Sequence, residues 1–281
     1  MTGGRFGWLV SYPKSGNTWL RLMLSCVLSG GAAVNINATA AKTGVASFAE
    51  MDEFLGIESS ELTETEIAAA MTAFHAEFLA NSDAALLLRK VHDRFWRTPA
   101  GIAAFVPDLS IGAIYLIRDP RDVAISWSHH YGVSIDAIIE RMADDGVVLG
   151  HPGSRGPEQL PQPLGSWSGH VLSWIEQGEI PALVIRYEDM LREPRESLAR
   201  AAAHLGIATT TGLLDSAVSA TRFDHLQRQE QAAGFRERLV CATAPFFREG
   251  RAGCWRDQLS AAQIARITRD HGAVMARFGY L

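Results

Sequence analysis

Within the eight residues Tyr12-Pro13-Lys14-Ser15-Gly16-Asn17-Thr18-Trp19 the chain gathers what an oxyanion needs: one ammonium, three short hydrogen-bonding side chains and a glycine. The segment follows the apolar run Phe6–Val10 and leads into Leu20-Arg21-Leu22-Met23-Leu24, so it reads as strand, tight turn and helix start. Gly16 lets backbone N–H groups come close to a ligand, and the first helical turn presents unpaired donors at the positive end of its dipole. Lys14 adds a full charge; Ser15, Asn17 and Thr18 add side-chain donors at the same place. An isolated Lys-Ser-Gly triplet is more often just a capped helix, so the weight rests on the longer motif. The pattern is not Gly-x-x-x-x-Gly-Lys-Ser/Thr, which disfavours a standard P-loop kinase or ATPase.

The elements that must position such a cradle are legible as four short apolar runs, Phe6–Val10, Ala84–Leu88, Ile111–Ile117 and Pro181–Ile185, alternating with longer helical segments. Parallel strands joined by crossover helices have this pattern. The expected fold is therefore α/β, a single domain over 1–281 with a central parallel sheet flanked by helices. Helices are expected near Asn17–Ser29, Glu61–Ala80, Arg121–Tyr131, Trp167–Glu176, Pro194–Leu205 and Ala261–Phe278. Gly146–Ser166, rich in glycine and proline, reads as a long loop of the kind that forms lids. Arg89-Lys90 follow the second run and Arg186-Tyr187-Glu188-Asp189 the fourth, and ligands of open parallel sheets bind beyond the strands' carboxyl ends. The site is expected there.

With 47% hydrophobic and 20% charged residues in 281, the chain has the composition of a globular protein with a real core. A formal charge of −5 argues against wrapping a polyanion such as nucleic acid. Cys26, Cys241 and Cys254 have neither C-x-x-C spacing nor histidines at ligand distance, so no metal site and no disulfide framework is expected. The start, Met1-Thr2-Gly3-Gly4-Arg5, is unlike a signal peptide, and no run of about 18 apolar residues occurs. A cytoplasmic protein without a membrane span is the expectation, as a monomer or a homodimer.

Tyr12–Trp19 closely resembles the phosphosulfate loop of the sulfotransferases that use phosphoadenosine phosphosulfate (PAPS) as donor and release PAP. The resemblance continues in order along the chain. Ile114-Tyr115-Leu116-Ile117-Arg118 with Ser126 is similar to the family segment in which an arginine and a serine eight positions later hold the 3′-phosphate. A guanidinium fork and a hydroxyl suit a phosphate, although Arg118 could instead pair with Asp119 or Asp122. Phe247-Arg248-Glu249-Gly250-Arg251-Ala252-Gly253-Cys254-Trp255 resembles the family's Arg-Lys-Gly-x-x-Gly-Asp-Trp, with Arg248 and Gly250 closing over the same phosphate. Glu249 departs from the usual lysine and Cys254 from the usual aspartate; an outward Glu249 paired with Arg251 or Arg256 is the expected accommodation. Trp19 and Phe223 match the aromatic faces around adenine, with Thr221 and Tyr187 as polar partners of the base.

Lys90-Val91-His92 resembles the family's Lys-Thr-His, which makes His92 the expected catalytic base, Lys14 the stabiliser of the leaving phosphate and Lys90 a support for the sulfonate or for the same phosphate. An imidazole ionising near pH 6.5 suits that task; His129, His130, His170 and His225 are the rivals. The resemblance implies a P-loop nucleotide-kinase-like sulfotransferase fold, no metal, and a small-molecule hydroxyl acceptor, a phenol or a sugar hydroxyl. The acceptor cleft is expected over Asn35–Leu55, His129–Ser166 and Gln227–Pro245. Two alternatives are a nucleotide-dependent small-molecule kinase, for which Asp119 is the strand-end carboxylate that stands out, and an inactive nucleotide-binding protein.

Overall fold

The computed structural model describes residues 4–39, 42–150 and 160–281. Its strands are β1 (Arg5–Ser11), β2 (Lys42–Thr43), β3 (Leu86–Val91), β4 (Ser110–Ile117), β5 (Val148–Leu149), β6 (Gln162–Pro163) and β7 (Ala182–Arg186). Five of them form a parallel sheet in the order β2-β3-β1-β4-β7, with β2 a two-residue edge. Its helices are α1 (Asn17–Leu28), α2 (Phe48–Leu55), α3 (Glu64–Ala80), α4 (Pro120–Tyr131), α5 (Ile135–Met142), α6 (Trp167–Ile175), α7 (Tyr187–Arg192), α8 (Pro194–His204), α9 (Thr211–Ala220), α10 (Phe223–Ala233), α11 (Trp255–Gln258) and α12 (Ala261–Arg277).

Side-chain alternation sorts the sheet into two cores. Phe6, Trp8 and Val10 of β1 and Ala113, Tyr115 and Ile117 of β4 face one cluster with Phe105, Trp127, Trp167 and Trp174. Leu9, Ile114 and Leu116 face the other with Leu20, Leu24, Leu198 and Ala217. Both faces of the central strands are covered, as an all-parallel sheet requires, which is why these strands read as continuous apolar runs. Each large buried side chain contributes about 1.5–3 kcal/mol.

The expected strands and helices are present, with boundaries moved and with additions. The second strand extends through Arg89, Lys90 and Val91 rather than stopping at Leu88. Parallel pairing with β1 carries the two polar residues into the sheet, where Arg89 meets Glu50 and Lys90 meets Glu237. Helices α2, α5, α7, α9, α10 and the single turn α11 were not expected; they fill stretches that the apolar runs leave blank. The loop expected over Gly146–Ser166 contains the antiparallel pair β5–β6, and its residues 151–159 lie outside the described residues. Among the described residues no helix is long and apolar enough to cross a membrane.

The register fixes where chemistry can gather. Val10 pairs with Val91, Ser11 with Leu116, and Ile117 with Arg186. The strands therefore end level, and the next residues, Tyr12, His92, Arg118 and Tyr187, emerge along one edge.

Candidate active site

The turn after β1 takes its shape from two residues with left-handed backbones, Lys14 (φ 67°) and Gly16 (φ 96°). A Cβ on Gly16 would stand 2.6 Å from the Tyr187 ring, so only glycine fits. Gly16 offers α1 no side-chain cap and the first turn holds no acidic residue, which leaves the helix's orphan N–H groups to a ligand. The buried Ser15 hydroxyl has no partner, a second sign that an acceptor oxygen belongs here. Asn17 has a different task from the expected one: its amide donates to the Leu9 carbonyl at 2.8 Å and tethers α1 to the strand.

A cleft of about 1470 Å³ opens over this edge. Pockets for drug-sized ligands hold roughly 300–1,000 Å³, so a nucleotide and a second small molecule fit together. Every site residue expected from the sequence lines it except Ser15, which lies buried beneath.

His92 follows the last residue of β3, half-buried. Its Nδ1 lies 2.7 Å from the Ser11 carbonyl oxygen, which can only accept, so Nδ1 carries the proton. Its Nε2 has no hydrogen-bond partner among the described residues. Burial, then the charge of Lys90, lowers the imidazole's pKa to about 3, well below the value near 6.5 expected from the sequence, so the free protein holds it neutral throughout the physiological range. Burial, with Lys90 and Arg118 adding repulsion, brings Lys14 down to about 7. Its ammonium sits 3.9 Å from the centre of the Phe246 ring.

Of the rival histidines only His130 also lines the cleft. His170 is buried, its Nε2 donating to the His92 carbonyl at 3.0 Å and its Nδ1 accepting from the Tyr115 hydroxyl at 2.7 Å. His129 faces Thr243 and His225 lies beside Asp224, both outside the cleft.

Arg118 ties three parts of the site together. It donates to the Lys14 carbonyl at 3.0 Å and to the Arg251 carbonyl at 3.1 Å, and its guanidinium lies 4.3 Å over the Tyr187 ring. Its buried Nε has no partner. Of the two anticipated carboxylates, Asp119 is taken by Arg121 at 2.7 and 2.9 Å, whereas Asp122 does pair with Arg118, at 4.0 Å, while accepting from the Gly253 and Trp255 N–H groups. With Asp119 so engaged, the strand-end carboxylate of the kinase alternative is spent.

Trp19 donates to the Thr221 carbonyl at 3.1 Å and meets Tyr187 edge-on at 6.4 Å. The Thr221 hydroxyl donates to the Ala217 carbonyl at 2.7 Å, which leaves its oxygen to a base only as an acceptor. Gly250 (φ 62°) lets the backbone lie against Phe223, where a Cβ would come within 2.4 Å of the ring. Glu249 pairs with Arg248 at 2.5 Å and Arg251 at 2.7 Å and accepts from the Cys254 thiol at 3.0 Å. Arg251 was an anticipated partner; Arg248 takes the place given to Arg256.

Sequence reasoning missed Glu237. Its carboxylate binds Lys90 at 3.0 Å, the Thr18 hydroxyl at 3.3 Å and the Arg21 guanidinium. No local signal marks it, because its partners lie 147 to 219 residues away. Glu230 was missed as well; its carboxylate accepts the Phe246 and Phe247 N–H groups and fastens the segment before Arg248. Among the described residues no cluster of three or more metal-ligating side chains occurs.

Comparison with known proteins gives the family. The model of a family described as sulfotransferase domain matches residues 7–279. Sulfotransferase 1A1 of Rattus norvegicus is 24% identical over 277 residues, covering 94% of this chain and 82% of that protein. The structure of mouse sulfotransferase SULT7A1 complexed with PAP superposes with a TM-score of 0.59 at 21% identity, covering 96% of this chain and 84% of the other. That of retinol dehydratase in complex with androsterone and inactive cofactor PAP gives 0.60 at 17% identity, covering 98% and 82%. At such identities the two structures speak for the fold, while the family match runs almost end to end. The chain belongs to the sulfotransferase domain family.

Proposed function

We propose that this sulfotransferase takes its sulfuryl group from PAPS, releases PAP and delivers the group to a hydroxyl of a small acceptor, with 1–281 acting as one catalytic domain. The carrying observation is the state of His92: Nδ1 is committed to the Ser11 carbonyl, and Nε2 is free at a cleft that both lysines line. The acceptor oxygen attacks sulfur as its proton passes to Nε2. The new oxygen–sulfur bond forms, the bond from sulfur to the bridging oxygen breaks, and the electron pair stays on the 5′-phosphate of PAP. Lys14 stabilises the charge growing on that oxygen, and Lys90 holds the sulfonate.

Ser15, Thr18 and the N–H groups after Gly16 take the 5′-phosphate, and Arg118, Ser126, Arg248 and Gly250 take the 3′-phosphate. Trp19, Tyr187 and Phe223 supply aromatic surface for adenine, with Thr221 packing beneath. Trp127, Tyr131, Leu149, Leu239 and Val240 line the remaining cleft, which supports an acceptor hydroxyl on an aromatic or apolar frame, such as a phenol. Incubation with radiolabelled PAPS and a panel of phenols, alcohols and sugars tests this: label should move to at least one acceptor. Tight PAP binding without transfer to any acceptor would leave a nucleotide-binding protein instead.

A further inference from the structure

The donor cradle already holds an anion of the protein's own. Glu237 lies between α10 and α11, in a segment that crosses the cleft. One carboxylate oxygen accepts from the Lys90 ammonium at 3.0 Å and the Thr18 hydroxyl at 3.3 Å; the other pairs with Arg21, which is fully buried in α1. Burial alone would raise this carboxyl's pKa, but Lys90 and Arg21 overcome it and hold the group well below the usual carboxylate range. It is ionised at neutral pH.

Two of these three partners are groups that the donor reading assigns to the phosphosulfate, Thr18 to the 5′-phosphate and Lys90 to the sulfonate. A carboxylate presents two oxygens much as one edge of either group does. We propose that Glu237 is an internal competitor for the phosphosulfate subsite, its carboxylate leaving Lys90 and Thr18 when the donor seats there. The inference rests on the donor reading above.

The residues around Glu237 can accommodate that exchange. Asn37 binds the Arg236 N–H and the Gly234 carbonyl on one side, and the His129 carbonyl accepts the Thr243 N–H on the other. Between these anchors the chain turns on the local backbone bonds Arg238 N–H to Phe235 and Ala242 N–H to Leu239, and Val240 is fully exposed. The contact serves the free enzyme by placing a carboxylate between two buried cations, Arg21 and Lys90. It also lowers the apparent donor affinity in proportion to the fraction of molecules whose subsite is filled from within.

Glu237→Gln keeps the shape and removes the charge. Titration of PAP into parent and variant is expected to give a Kd about tenfold lower in the variant, the gain shrinking in high salt. The nucleotide-free variant should melt below the parent and recover when saturated with PAP. Unchanged or weaker PAP affinity in the folded variant overturns the proposal and makes Glu237 a residue that positions Lys90. Should the Gln variant fail to fold, Glu237→Asp, one methylene too short to hold Arg21 and Lys90 together, is read by the same titration. A parent that binds PAP while neither variant binds it more tightly defeats this inference alone; a parent that does not bind PAP defeats the donor reading with it.

Discussion

The Nδ1 atom of His92 sits 2.7 Å from the carbonyl oxygen of Ser11, one residue beyond the paired Val10 and Val91 of β1 and β3. That bond fixes the tautomer and leaves Nε2 as the basic atom at the cleft. His92→Ala is expected to lower turnover by roughly a hundredfold or more, the scale of a general base, with PAP affinity within a few-fold of the parent. Labelled-donor assays and calorimetric titration check it. Turnover close to the parent's moves the base to His130, the other histidine of the cleft.

Lys14 couples donor binding to pH. Its pKa of about 7 in the free protein reflects burial and the nearby Lys90 and Arg118. A bound phosphate favours the charged form, so the complex retains a proton that the free enzyme has partly lost. PAP affinity should fall as pH rises from about 6 to about 9, approaching tenfold per unit above the free-enzyme pKa. Calorimetry in two buffers of different ionisation enthalpy should register proton uptake near pH 8. No uptake there, or the same uptake in Lys14→Met, assigns the effect elsewhere.

Arg118 and Ser126 are expected to read the 3′-phosphate. Arg118→Ala and Ser126→Ala should weaken PAP much more than the analogue lacking that group, since a charge-assisted bond contributes about 1.5–3 kcal/mol. Equal losses for both nucleotides in Arg118→Ala would mean that its bonds to the Lys14 and Arg251 carbonyls only brace the site.

Glu249 neutralises the arginine expected on the same phosphate. With its side chain about a quarter exposed, the pair with Arg248 is worth no more than about 1 kcal/mol. Glu249→Gln should free Arg248 and tighten PAP a few-fold at low salt, with little change at high salt. An unaltered Kd at both ionic strengths means that Arg248 serves the nucleotide while still paired.

Asp93 should report on stability. Burial lifts its pKa to about 8, and its Oδ2 is buried without a partner. The unfolded chain ionises this group near pH 4, so the folded state holds a proton that the unfolded state has lost between the two values. Stability from this group is whole below about pH 4 and falls until about pH 8. Asp93→Asn should therefore stabilise the protein by on the order of 3 kcal/mol at alkaline pH and by little in acid, as thermal melts across the range would register. A difference that does not change with pH sinks this reading.

The sequence by itself determined the sheet and most of the cradle. Strands β1, β3, β4 and β7 announce themselves because burial on both faces makes each a local apolar run. The cradle's residues are contiguous, Lys14 to Trp19, so turn, helix start and charge are read in one place; Arg118 and His92 follow runs that mark their own strands.

Only the tertiary structure decided which polar groups are free and which are spent. Arg89 and Lys90 lie inside β3 because Glu50 and Glu237 arrive from other segments to balance them, and a charge is held in a sheet only where a partner reaches it. Asn17 and Thr221 have the right chemistry for a ligand, yet a carbonyl of Leu9 and one of Ala217 take their donors first. Thr18 and Glu237 stand 219 residues apart, and no local spacing encodes that meeting. Hydrophobic periodicity is a property of neighbours along the chain; charge pairing across the cleft is set by which surfaces the folded chain brings together.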